Sequence, residues 1–239
     1  MANKFYQPGE LRAAKVEDLF AAIAPRYDLI NDLQSFGMHR AWKRRLIRMA
    51  AVKAGEPALD LCCGTGDIAF ALAARGGAVS GLDFSEAMLE VARKRVSIRG
   101  GTGAPFFQQG DAQALPFSDN SFDIVTVGYG LRNLSKWERG LEEMWRVARP
   151  GGRLLVLDFG KPEGDLLRRF YFAYLKWLVP IFGRLFCGDS ATHAYILESL
   201  LNYPAQRGVE SKMRALGCCD VRVINFLGGA MSINYGVKP

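Results

Sequence analysis

Histidine is nearly absent from this chain, with two residues in 239, His39 and His193. Five cysteines do not make up for it. Cys62-Cys63 and Cys218-Cys219 are adjacent pairs and Cys187 stands alone, so the spacing of a zinc knuckle or a redox Cys-x-x-Cys is missing. No metal site is expected, and the thiols read as buried structural groups. No run of about 18 apolar residues occurs, so no spanning helix is expected. The opening residues, Met1 to Phe5, lack the apolar stretch of a secretory signal, and a cytoplasmic setting is the expectation. Repeats, low-complexity tracts and long linkers are missing too.

What is present is a chain that is 49% hydrophobic and 23% charged, which implies a globular protein. Its length suits one domain over residues 1–239. The formal net charge of +7 admits three explanations: nucleic acid, an anionic membrane surface, or a basic enzyme with neither partner.

Apolar periodicity predicts two N-terminal helices. The first carries Val16, Leu19, Phe20 and Ile23 and stops at Pro25. The second runs from about His39 through Trp42, Leu46 and Met49. Strands then alternate with helices: strands near 58–62, 78–82, 105–109, 122–127 and 153–159, with helices near 68–72, 85–97 and 135–148. That alternation means a doubly wound α/β sheet, mostly parallel, with helices on both faces. Residues 166–186 are aromatic-rich and predicted helical, with Pro180 as a kink or break. A helix near 204–216 follows. Two closing strands, 221–226 and 230–235, would add an antiparallel edge.

Chemistry enters at the strand ends. Leu59-Asp60-Leu61-Cys62-Cys63-Gly64-Thr65-Gly66-Asp67 is a strand running into a glycine turn and a helix, where backbone can approach a ligand closely. Asp83 follows the second strand and suits both hydroxyls of a ribose. Asp111 follows the third and, with the Ala112 amide, suits an adenine edge. Each acid alone reads equally as a turn or cap residue. Gly64-x-Gly66-x-x-Ala69 with Asp83 also fits a dinucleotide fingerprint, so a nicotinamide dehydrogenase is a competing reading.

Taken with Leu-Asp-Phe-Ser at 82–85, Gly-Asp-Ala at 110–112 and Arg-Pro-Gly-Gly-Arg-Leu-Leu-Val-Leu at 149–157, the loop resembles class I S-adenosylmethionine methyltransferases. Two longer segments narrow the likeness. Residues 23–40, Ile-Ala-Pro-Arg-Tyr-Asp-Leu-Ile-Asn-Asp-Leu-Gln-Ser-Phe-Gly-Met-His-Arg, resemble the N-terminal signature of the ubiquinone/menaquinone biosynthesis C-methyltransferases. Tyr129-Gly130-Leu131-Arg132-Asn133-Leu134 resembles their second signature. The resemblance covers about residues 16–236. Cys62-Cys63, Arg149 and Asp111 depart mildly from the family pattern.

The resemblance implies S-adenosylmethionine bound by Asp60, Gly64, Thr65, Gly66, Asp83, Phe84, Asp111, Ala112 and Gly128. It implies methylation of a ring carbon of a polyprenylated quinol, with Arg132, Asn133 and Tyr27 as the catalytic group. The resemblance also implies a part for Arg132 in proton removal through water, with Asn133 and Tyr27 nearby. A guanidinium stays charged and is a poor base, so Arg132 is expected to stabilise a developing phenolate and orient that water. The alternative for Arg132 is a structural pair with Asp32 or Asp123. Tyr27 and Asn31, four apart, share a helix face as part of a lid over residues 1–50 or as ordinary packing. His39 is a minor catalytic candidate. Residues 160–217 are expected to cover the substrate. Within them, the aromatic run 170–182, flanked by Arg168, Arg169, Lys176 and Arg184, reads as core, dimer interface, or a cover that rests on the inner face of the cytoplasmic membrane. Nucleic acid is not expected as a partner, although an RNA methyltransferase or a silent scaffold on the same fold are rivals. The Cys-Cys-Gly and Gly-Tyr-Gly-Leu-Arg-Asn variants resemble naphthoquinone-pathway relatives, which favours demethylmenaquinol over a benzoquinol.

Overall fold

The computed structural model describes residues 16–18, 21, 24, 27–99, 103–181 and 191–239, without the side chains of 99 and 191–194. The expectations at Leu19, Phe20, Ile23, Pro25, Phe182, Arg184 and Cys187 lie outside that set.

Strands β1 (Pro57–Leu61), β2 (Ala78–Asp83), β3 (Phe106–Gln109), β4 (Phe122–Gly128), β5 (Ala148–Phe159), β6 (Cys219–Phe226) and β7 (Met231–Val237) form one sheet. Their order is β3-β2-β1-β4-β5-β7-β6. The first five are parallel, and β7 runs antiparallel to both β5 and β6. The chain reverses direction of travel between β1 and β4, and open α/β sheets bind ligands at such a switch point.

β1 and β4 are buried on both faces, which is why Ala58-Leu59 and Ile124-Val125 are continuous apolar runs rather than alternating ones. Helices α1 (Tyr27–Gln34), α2 (Met38–Ala50), α3 (Asp67–Ala73), α4 (Glu86–Arg99) and α5 (Trp137–Val147) follow the predicted alternation. In α2, His39, Trp42, Leu46 and Ala50 form a buried stripe while Arg40, Arg44 and Lys43 flank it. Helices α6 (Asp165–Ala173), α7 (Ala191–Asn202) and α8 (Ala205–Ala215) follow.

The closing strands add the expected antiparallel edge, with β7 inserted beside β5 and β6 outside it. Burial explains the order, because β7 is nearly all buried, Ser232 and Asn234 included, whereas β6 exposes Asp220 and Arg222. Of the kink or break expected at Pro180, the break does not occur. Helical geometry continues through Ile181, and the strain is absorbed one turn earlier by a π-helical turn at Tyr174–Leu178, closed by the Val179 amide donating to the Tyr174 carbonyl.

Candidate active site

The carboxyl ends of β1, β2, β3 and β4 enclose a groove lined by Gly64, Asp83, Phe84, Asp111, Ala112, Gly128 and Asn133, with Val16 and Glu17 also lining it. Beside it lies an apolar cavity of about 420 Å³, whose wall includes Tyr27, Asn31, His39, Arg132, Tyr171 and Tyr195. Tyr27 and Tyr129 line both. Two ligands held in the two spaces would therefore meet at these tyrosines.

The groove is shaped by its acids. Asp83 accepts hydrogen bonds from the Gly64 amide at 2.7 Å and the Ser85 amide at 2.9 Å, so it ties the glycine loop to the end of β2. Its burial pushes the carboxyl above the usual carboxylate range, against those amides. Asp111 accepts from the Gln113 amide at 2.8 Å, a turn that leaves its carboxylate on the groove wall. Gly64 holds φ +55°, and a Cβ there would meet nothing nearer than Tyr27 at 4.0 Å, so the space over it is open to a ligand. The Ser85 hydroxyl is buried on this wall without a hydrogen-bond partner among the described residues. A ligand rich in hydroxyls and ring nitrogens fits this set.

Three residues assigned to cofactor binding do not line the groove. Asp60 is fully buried beneath it, accepting from Thr126 Oγ1 at 2.7 Å and the Ala69 amide at 3.1 Å. Burial raises its pKa to about 7. Thr65 turns away and donates to Asp28 at 2.9 Å. Gly66 holds φ +88° with a Cβ position 2.7 Å from the Phe107 ring, so its role is close packing. Asp28 also pairs with Arg95, which reaches Asp67 at 3.0 Å, and Lys43 meets Asp67 at 2.8 Å. This network fastens α1 and α2 over the glycine loop.

Arg132 sits in a 3-10 turn, Leu131–Asn133, after β4. It pairs with neither Asp32 nor Asp123; those hold Arg40 and Arg149. Its partner is Asp158, with Nε 3.4 Å from Oδ1 and the Arg132 amide donating to Oδ2 at 3.1 Å. Nη1 donates to Asn133 Oδ1 at 2.7 Å, and Tyr195 donates to the same oxygen at 3.1 Å. The guanidinium carbon lies 4.8 Å from the centre of the Phe159 ring. Burial pushes the Asp158 carboxyl upward while the Arg132 charge opposes it. The sequence does not single out Asp158 or Tyr195, and it offers Tyr129 only as part of the signature at 129–134. Asp158 had a signal, since it ends a strand in Leu157-Asp158-Phe159 as Asp83 ends β2.

The cavity is mostly apolar, but Asn31 Nδ2, Gln34 Nε2 and the Tyr129 hydroxyl are buried on its wall without partners among the described residues. Such groups await polar atoms of a guest. The thiols are a partial correction. Cys62 is half-buried on the groove wall with φ +50°, and Cys219 is exposed, whereas Cys63 and Cys218 are buried as expected.

Solved structures share the fold. A methyltransferase dependent on S-adenosylmethionine from Aquifex aeolicus superposes with a TM-score of 0.60 at 21% identity, covering 82% of this chain and 89% of its own. A methyltransferase of Thermotoga maritima superposes at 0.62 and 20% identity, covering 93% and 99%. The fold is that of class I S-adenosylmethionine-dependent methyltransferases.

The family model described as the ubiE/COQ5 methyltransferase family matches residues 9–238. The ubiquinone/menaquinone biosynthesis C-methyltransferase UbiE of Azotobacter vinelandii is 40% identical over 235 residues, 97% of this chain and 93% of that protein. The demethylmenaquinone methyltransferase of Desulfitobacterium hafniense is 38% identical over 239 residues, 97% and 92%. The chain belongs to the ubiE/COQ5 family, and with it to the enzymes that use S-adenosylmethionine to methylate carbon. The dehydrogenase reading of the glycine loop falls with that membership.

Proposed function

We propose that this enzyme methylates a ring carbon of a polyprenylated quinol with demethylmenaquinol as the head group, the quinol occupying the 420 Å³ cavity and S-adenosylmethionine the groove. The observation that carries the reading is the shared wall at Tyr27 and Tyr129, which brings an apolar guest against a polar cofactor. Bound S-adenosylmethionine supplies an electrophilic methyl group on a sulfonium sulfur.

The chain's own residues do the rest. Asp83 and Asp111 hold the polar end of the cofactor. Asn31 and Gln34 offer unpartnered amides to the quinol oxygens, and holding the ring against the shared wall provides proximity. The Arg132 charge, desolvated beside Phe159, stabilises a phenolate as it forms. Helices α1 and α2 act as a lid, and α6 with the π turn as a cover.

The cavity rim supports a membrane-borne substrate. Phe36, Leu167, Phe170 and Leu227 line the cavity and are exposed, and Trp177, Leu178 and Ile181 extend the apolar surface. Arg168, Arg169 and Lys176 stand among them, with Lys176 5.2 Å over the Trp177 ring. An isoprenoid tail leaving by this rim would pass into lipid with basic groups at the headgroup level. Among the described residues no helix is long and apolar enough to cross a membrane.

Purified enzyme with S-adenosylmethionine is expected to methylate demethylmenaquinol faster than the matching demethylated benzoquinol. The reverse preference overturns the head-group assignment.

A further inference from the structure

A methyl transfer to a phenol needs a place for the hydroxyl proton, and Arg132 cannot be that place because a guanidinium does not lose its charge. His39 lies on the wall of the same cavity, 5% exposed. Its hydrogen bonds decide its tautomer. Ser35 Oγ has one hydrogen, and donates it to the Asn31 carbonyl at 2.6 Å. The 2.8 Å contact between Ser35 Oγ and His39 Nδ1 therefore needs the ring's hydrogen, so Nδ1 is the protonated nitrogen. Asp32 Oδ1, 3.7 Å from Nδ1, favours the same arrangement. Nε2 is left with its lone pair and no hydrogen-bond partner among the described residues.

We propose that His39 Nε2 is the base that takes the quinol hydroxyl proton during methyl transfer, with Ser35 and Asp32 as positioning residues. The proposal rests on the reading that the cavity holds a quinol. The O–H bond breaks as Nε2–H forms. The oxygen's electron pair feeds the ring, and the neighbouring carbon forms the new C–C bond as the methyl's bond to sulfur breaks, its pair going to sulfur. The ring carbon's hydrogen then leaves as a proton to water, its C–H pair restoring aromaticity. The imidazolium returns its proton to the oxygen, so one proton is released overall.

The charged surroundings suit this role. Burial and the charges of Lys43 and Arg40 hold the imidazole below its ordinary range, opposed by Asp32 and Asp67. The ring is thus neutral and ready to accept at neutral pH. Arg132, paired with Asp158 behind it, is a further charged group on the cavity wall, and its guanidinium favours the phenolate that His39 produces. The Tyr129 and Tyr171 hydroxyls are pushed up by burial and stay neutral.

Single-turnover rates at saturating S-adenosylmethionine, measured from about pH 5 to 9 on wild type, His39→Gln and Asp32→Asn, test the proposal. Wild type is expected to lose rate on the acid side. His39→Gln is expected to be slower by about 10²-fold or more and to lack that acid limb, with cofactor affinity unchanged. Asp32→Asn removes a charge that favours imidazolium, so its acid limb should move to lower pH. A His39→Gln enzyme of near wild-type rate, or a slow one that keeps the acid limb, overturns the proposal. Should His39→Gln not fold, an unmoved limb in Asp32→Asn overturns it alone. Activity of the wild type on the benzoquinol and none on the naphthoquinol would overturn the head-group reading instead, and the same comparison would be read on the benzoquinol.

Discussion

Arg132 and Asp158 form a buried ion pair at the ends of β4 and β5, Nε to Oδ1 at 3.4 Å, each side chain at most 6% exposed. Removing one partner leaves the other charge uncompensated in a dry site. Asp158→Asn should therefore destabilise the protein by about 3–5 kcal/mol, the usual cost of breaking a buried pair. Denaturant titration of wild type and variant checks this. A loss below about 1 kcal/mol would mean that solvent reaches the pair.

Asp83→Ala removes the acceptor for two amides and the carboxylate on the groove wall. S-adenosylmethionine affinity should fall by about 1.5–3 kcal/mol, the worth of hydrogen bonds to a charged group. Asp111→Ala should cost less, since the Ala112 amide remains. Calorimetry on both folded variants checks the order, and a larger loss at Asp111 reverses the assigned roles.

Asp60 carries a pH signature. Its folded pKa of about 7 lies above its ordinary value of 3.8, so between those values the folded state holds a proton that the unfolded state has lost. Its contribution is thus fullest below about pH 4 and is lost as pH rises toward 7. Asp60→Asn should remove that part of the slope. Melting curves of wild type and variant across this range should differ in slope, and parallel curves would exclude Asp60 as the titrating group.

The exposed rim at Leu167, Phe170 and Trp177 should bind anionic vesicles at low salt and release them as salt screens the basic groups. Trp177→Ser should weaken flotation without altering the melting temperature. Absence of wild-type binding at low salt would return this surface to a protein partner.

These sites differ in how far the sequence discloses them, and the difference is one of range. The glycine loop, Asp83 and Asp111 each sit at a strand end, so a local pattern finds them. Strands β1 and β4 beneath are found because burial on both faces makes their apolar runs continuous. Asp60 and Thr65 belong to the same motif, yet their bonds to Thr126 and Asp28 span 66 and 37 residues, and only the fold discloses those partners. The Arg132–Asp158 pair crosses two strands for the same reason. Thr65, Asp28 and Arg95 illustrate the limit further, because three separate segments meet to fasten α1 over the glycine loop. The π turn before Pro180 shows a local conflict whose resolution depends on packing around Leu175, which is buried.

The most direct test of the account is Arg132→Lys, with turnover, S-adenosylmethionine affinity and melting temperature measured on one preparation. The lysine keeps a charge opposite Asp158 but loses the planar fork that reaches Asn133. If Arg132 stabilises the phenolate, turnover should fall by about 10²-fold or more while cofactor affinity stays within about twofold, because the contact is made to the reacting quinol. Near-normal turnover in a stable Arg132→Lys enzyme would contradict the account and reduce Arg132 to a strut between β4 and β5.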